Sequence, residues 1–172
     1  MDQVGLAVHA FLAADREASG NDQRLAAARR LLSRYGLTEN LAAEAVAAAG
    51  ASLWRWLAEL GATRLHCEWP LAERLPSGTV VQGAADLVAS TPTGLLLVDH
   101  KTFPGTLDAA LDRLPRYAGQ LAAYASAIAA GTGNPVESAW IHLPVLGSIV
   151  QIHFDPLPCP ASQSSAPWVA GP

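Results

Sequence analysis

Cysteine, lysine and charge are all scarce in this chain. The two cysteines, Cys67 and Cys159, stand far apart with no paired-cysteine or cysteine-histidine spacing. That arrangement supports neither a structural zinc nor an iron-sulfur centre and leaves a reducing, cytoplasmic setting as the default expectation. No apolar run is long enough to span a bilayer. The opening MDQVGLAVHAFLAADRE lacks a basic lead and carries acids within its apolar stretch, so it reads as neither a signal peptide nor an anchor. With 15% of residues charged and a net charge of -4, the chain lacks the broad basic surface that holds a polyanion unaided.

Apolar residues are plentiful. They make up 51% of the 172 residues, enough for one domain with a real core. The front third reads as helical: residues 2–18 with Val4, Val8, Phe11 and Leu12 on one side, then about 22–34, then a helix capped by Thr38 and running to Ala49, then a segment holding Trp54, Trp56 and Leu57. After Gly61 the pattern changes to strands at about Thr63–Trp69, Thr79–Ala89 and Leu95–Lys101, separated by Pro76-Ser77-Gly78 and by Thr91-Pro92-Thr93-Gly94. Thr106 is positioned to cap a short helix, and Pro115 to sit in the first turn of a longer one reaching Ala130 before Gly131. Two final strands, about 137–143 and 148–154, form a hairpin around Gly147. The domain is read as residues 1–155, with a helical part at about 1–60 and a sheet core at about 61–155. Residues 156–172 form a Pro/Ser-containing tail.

The chemistry concentrates at Gly83-Ala84-Ala85-Asp86 and at Leu95-Leu96-Leu97-Val98-Asp99-His100-Lys101-Thr102. A symmetric turn centred between Pro92 and Thr93 sets Asp86 opposite Asp99, and like charges so placed repel unless something positive lies between them. Lys101, two residues along the strand, shares the face of Asp99 and is the sole lysine of the chain. Two carboxylates and an ammonium on one face can hold a hard divalent cation and steady a hydroxide and a phosphate. The same Asp-x-Lys can also be an ordinary ion pair at a strand end. Against that reading, Leu95–Val98 is continuously apolar, as in a strand buried on both faces, and charges at its end need a reason.

The order His9, Glu68, Asp86, Asp99-His100-Lys101-Thr102, Tyr117, Gln120, Tyr124 resembles the PD-(D/E)XK nuclease superfamily, and within it the RecB- and AddA-type nuclease domains. The motifs that carry the resemblance are GAAD, DHKT and YAGQLAAY, and they lie within residues 1–143. The resemblance implies an α/β, restriction-endonuclease-like fold with a central mixed sheet flanked by helices and a helical N-terminal third. It implies an Mg- or Mn-dependent exodeoxyribonuclease domain of a helicase-nuclease that processes double-strand breaks in DNA repair. Asp86, Asp99 and Lys101 are then catalytic, Glu68 is a further active-site carboxylate unless it is an edge-strand acid solvated at the rim, and His9, Asp86, Asp99 and the backbone carbonyl of His100 are metal ligands. Gln120, Tyr124 and Tyr117 would lie on the substrate side, although their helical spacing suits a core-facing stripe equally well. The implied partners are single-stranded DNA, a helicase domain of the same polypeptide and a second subunit. His100 stands where the family often has tyrosine, and no iron-sulfur cluster is expected.

Two other classes compete. A nuclease-like fold can persist as an inactive scaffold or DNA guide, but such a module has no need of Asp86, Asp99 and Lys101 together. Residues 22–49 can also be read as a helix-turn-helix around Tyr35-Gly36-Leu37, yet a recognition helix opening Thr38-Glu39-Asn40 and continuing in alanine offers few donors to base edges. Arg29, Arg30 and Arg34 fit a solvated helix face or a phosphate-steering patch. His142 and His153 carry no functional expectation.

Overall fold

Periodic, alanine-rich sequence builds three helices before the first strand: α1 (Gln3–Ala14), α2 (Asn21–Arg34) and α3 (Ala43–Glu59). The fold is that of a computed structural model, which describes residues 3–74, 78 and 80–153. The expected tail, the end of the last strand at Phe154 and most of the Pro76-Ser77-Gly78 turn fall outside those residues.

The third helix and the segment after it prove to be one element. Thr38 caps nothing: residues 37–41 form a turn in which the Leu37 carbonyl accepts from the amides of Asn40 and Leu41, and α3 starts only at Ala43. It then passes straight through Gly50, where the lack of a side chain lets α1 come close. A β-carbon there would stand 2.7 Å from Asp15 Oδ2 and 2.8 Å from the Phe11 ring. The face of α3 carrying Val46, Ala49, Leu53 and Leu57 is buried, which counts further against a recognition helix in this segment. Arg29 pairs with Glu44 at 2.9 Å across α2 and α3 on the exposed surface.

The strands are β1 (Thr63–Arg74), β2 (Val80–Thr91), β3 (Gly94–His100), β4 (Val136–Leu143) and β5 (Ser148–Ile152), and they lie in the sheet in that order. β1, β2 and β3 form an antiparallel meander, β3 and β4 are parallel, and β5 returns antiparallel. A parallel neighbour needs a long crossover. It is made by α4 (Leu107–Leu111), a 3-10 turn at Leu114–Tyr117 and α5 (Ala118–Thr132). Thr106 caps α4 through its hydroxyl, which accepts from the Ala109 amide. Pro115 sits in the 3-10 turn rather than in α5 itself, and α5 runs past Gly131 to end at Gly133.

Two cores result, one on each side of the sheet. Val8, Phe11, Leu12, Leu32, Leu53 and Leu57 of the N-terminal helices close over Leu87, Leu96 and Val98. On the other side Leu114, Leu121 and Ile128 close over Val88, Leu97 and Ile141. β3 therefore sends Leu96 and Val98 one way and Leu97 the other, which explains its unbroken apolar run. Trp56 of α3 meets Trp140 of β4 edge to face, ring centroids 5.1 Å apart, and ties the helical layer to the sheet. The architecture is the mixed α/β sandwich expected from the sequence.

Candidate metal centre

The hairpin turn sets the register of the site. β2 and β3 pair Thr91 with Gly94 and Leu87 with Val98, and one further step would bring Asp86 opposite Asp99. The ladder stops before that step. Instead the Asp86 carboxylate reaches across and accepts the His100 amide at 2.6 Å, so a side chain takes over where the backbone pairing ends.

On its other flank Asp86 neighbours Glu68 of β1. Pairing holds the same register on both sides of this point, Cys67 with Leu87 and Trp69 with Ala85. Yet Cys67 and Leu87 pack into the first core while Trp69 and Ala85 pack into the second. Residues two apart on a regular strand share a face, so both strands change face at Glu68 and Asp86. The device is visible in the backbone: Glu68 has a φ of +51°, a left-handed conformation that costs a non-glycine residue about 1 kcal/mol or more and concentrates at functional sites. β1 is an edge strand, where such a disruption, like Pro70 beside it, is tolerated.

α1 completes the cluster. Its buried residues Ala7, Val8, Phe11 and Leu12 fix the helix on the sheet and bring His9 over the strand ends. Ligand atoms of His9, Glu68 and Asp86 all lie within 4.8 Å of one another. His9 Nε2 is 2.7 Å from the His100 carbonyl oxygen, which can only accept, so Nε2 carries the proton. Nδ1 faces Asp86 Oδ2 at 3.7 Å, on the side where an unprotonated ring nitrogen could take a cation. The three groups offer oxygen and imidazole donors suited to magnesium or manganese.

Asp99 and Lys101 stand beside this group. Asp99 is 3% exposed, and its Oδ2 lies 2.6 Å from Lys101 Nζ. That contact lacks hydrogen-bond geometry, which leaves Oδ2 buried without a hydrogen-bond donor. Lys101 balances the charge of that oxygen, and the absence of any other donor to it fits a place beside a bound cation. The Lys101 ammonium is also seated on the Tyr117 ring, 4.9 Å from its centroid. Asp99 does not join His9, Glu68 and Asp86 within the same 4.8 Å, so the tightest group is His9-Glu68-Asp86, with Asp99 adjacent.

Electrostatics binds the two halves together. Burial first, and then the negative charge of Asp99, push the Asp86 carboxyl up to about 6, against the pull of His9, the His100 amide and Lys101. Charge repulsion of this kind is relieved when a cation enters. Beneath the cluster, burial holds His100 well below the ordinary imidazole range and lowers His142 to about 4.

The remaining expected residues are placed as follows. Tyr124 of α5 crosses Gly83 so closely that a β-carbon there would stand 2.7 Å from its hydroxyl; the glycine three residues before Asp86 is there to let the tyrosine pass. Gln120, one turn earlier on α5, is half-buried. His142, a residue without a functional expectation from its sequence context, lies directly under the site, its Nδ1 3.1 Å from that of His100.

The sequence matches known proteins. The PD-(D/E)XK nuclease superfamily matches residues 1–162. An ATP-dependent helicase/nuclease subunit of Carboxydothermus hydrogenoformans is 36% identical over 74 residues, 43% of this chain and 6% of that protein. A protein of the same name from Levilactobacillus brevis is 29% identical over 105 residues, 52% of this chain and 8% of its own length. The chain thus spans less than a tenth of these relatives. With strands, crossover and acidic cluster in place and the family match covering nearly the whole sequence, the chain belongs to the PD-(D/E)XK nuclease superfamily.

Proposed function

We propose that this chain is the nuclease domain of a helicase-nuclease and hydrolyses DNA phosphodiesters with a divalent cation, magnesium or manganese. The observation that carries the reading is the convergence of His9, Glu68 and Asp86 within 4.8 Å beside the Asp99-Lys101 pair. His9, Asp86, Asp99 and the His100 carbonyl would hold the cation, with Glu68 completing the acidic wall. When bound, the cation polarises the phosphate and lowers the pKa of an attacking water.

The protein's own groups supply the rest. The His9 Nε2–H bond to His100 holds the imidazole so that Nδ1 points inward. Lys101, steadied by Asp99 and the Tyr117 ring, presents a fixed positive charge that orients the water and meets the charge developing on phosphate. Tyr124 and Gln120, on the α5 side, are suited to bonding the DNA backbone. A net charge of -4 makes it reasonable that a motor domain and a partner protein hold the strand and deliver it single-stranded. The names of the two relatives support the link to a helicase; exonucleolytic processing of double-strand breaks is the role we propose for the domain.

The test is digestion of end-labelled single-stranded DNA by the full complex in Mn2+ or Mg2+. Asp99→Ala and Lys101→Ala should each lower the rate about 100-fold or more. Undiminished digestion by both variants would place cleavage elsewhere. If, in addition, the 172-residue chain takes up no cation, an inactive scaffold becomes the better reading.

A further inference from the structure

Beneath the cluster lies a buried pair of imidazoles that the chemistry above does not use. His100 and His142 are 4% and 5% exposed, and their Nδ1 atoms face each other at 3.1 Å. The rings meet edge to face, centroids 5.0 Å apart. Two nitrogens at that distance are a hydrogen bond only if one bears a proton and the other does not. At 3.1 Å one ring therefore donates through Nδ1 and the other accepts.

We infer that His142 is a positioning residue for the metal centre, acting through the backbone of His100 and Lys101. His100 touches the site at both ends of its main chain: its amide donates to Asp86 Oδ2 at 2.6 Å and its carbonyl accepts from His9 Nε2 at 2.7 Å. Its peptide units therefore fix two side chains of the proposed ligand set. What fixes His100 is β4. His142 is its parallel partner, bonds its ring, and with its own carbonyl accepts the Lys101 amide at 2.9 Å. One residue thus grips the ring of His100 and the backbone of Lys101, on either side of the peptide between them. Groups that orient ligands in this way set metal affinity although they never touch the ion.

His142 is reached from the other direction too. It lines a cavity of about 250 Å³ between α3 and the β4–β5 turn, with Trp56, Pro144 and Ile149 around it. The ring therefore borders open space on that side.

The inference rests on the metal-centre reading, and the experiment separates the two. Mn2+ affinity of the 172-residue chain is measured by calorimetry for wild type, His142→Leu and His142→Gln, each well below its own melting temperature. Loss of the ring's hydrogen bond in His142→Leu should weaken Mn2+ binding about 10-fold or more. His142→Gln, which can still bond His100, should stay within about 3-fold of wild type. A residue that only packs would lower the melting temperature of both variants and leave affinity alone. The same claim is read on unmutated protein from the imidazole nitrogen resonances: Mg2+ should shift the His100 and His142 Nδ1 signals along the binding curve. Wild-type affinity in His142→Leu, equal losses in both variants, or nitrogen signals unmoved by Mg2+ would overturn the inference. No cation uptake by wild type would instead overturn the metal centre itself.

Discussion

Replacing Asp86 by asparagine should stabilise the metal-free protein at neutral pH, and the gain should vanish in acid. The folded protein raises the Asp86 carboxyl from its ordinary value of 3.8 to about 6. At about 1.4 kcal/mol for each unit, keeping this group ionised in the fold costs on the order of 3 kcal/mol. A raised value means that the folded state binds the extra proton, so the contribution of Asp86 is fully present below about 3.8. It is lost as pH rises through about 6. His100 and His142 act in the opposite sense. Their lowered values leave them neutral in the fold, so their contribution is present above the ordinary 6.5 and falls away as pH drops, for His142 toward about 4. The two trends overlap in wild type, and the difference between Asp86→Asn and wild type isolates the carboxylate. Urea denaturation in EDTA from about pH 4 to about pH 7.5 should give near equality at the acid end and an advantage to the variant approaching about 3 kcal/mol at the neutral end. Saturating Mn2+ should then stabilise wild type and not the variant. A difference that is flat with pH, or one that favours wild type at neutral pH, would refute the assignment of Asp86 as a buried, charge-strained carboxylate.

Other outcomes follow from the packing. Arg24 is 7% exposed and its Nε holds the buried Asp15 carboxylate at 2.9 Å, while its Nη2 donates to the Arg16 and Glu17 carbonyls. Arg24→Ala should therefore cost about 3–5 kcal/mol by thermal or urea melting, whereas removal of Arg29 from its exposed pair with Glu44 should leave the melting point nearly unchanged. Gly83→Ala should destabilise by about 1–3 kcal/mol because of the Tyr124 hydroxyl. Adding Tyr124→Phe should recover part of that loss; strict additivity in the double-mutant cycle would contradict the contact.

How much of this was legible in the residues depends on how local each cause is. The β2–β3 register follows from a short symmetric turn and was readable from Thr91-Pro92-Thr93-Gly94. The double burial of β3 was readable from Leu95–Val98. Gly50, just past the helix end expected at Ala49, is a notch in the middle of α3 for Asp15 and Phe11, and nothing near it in sequence announces α1 as the neighbour. Thr38 likewise offered a cap that the chain, turning at Leu37, does not use. The left-handed Glu68 was beyond reach because its cause is a change of face shared with β2. His142 was beyond reach for a similar reason, since it meets His100 only after a crossover that separates the two by 42 positions. The motif residues could be read one at a time; the bonds that orient them could not.

Everything proposed for this site requires one ion sitting among its side chains. Crystals of the protein soaked in Mn2+ and measured at the manganese absorption edge should show a single anomalous peak within bonding distance of His9 and Asp86, with Asp99 and the His100 carbonyl turned toward it. A peak lying away from them, or none at saturating Mn2+, would contradict it.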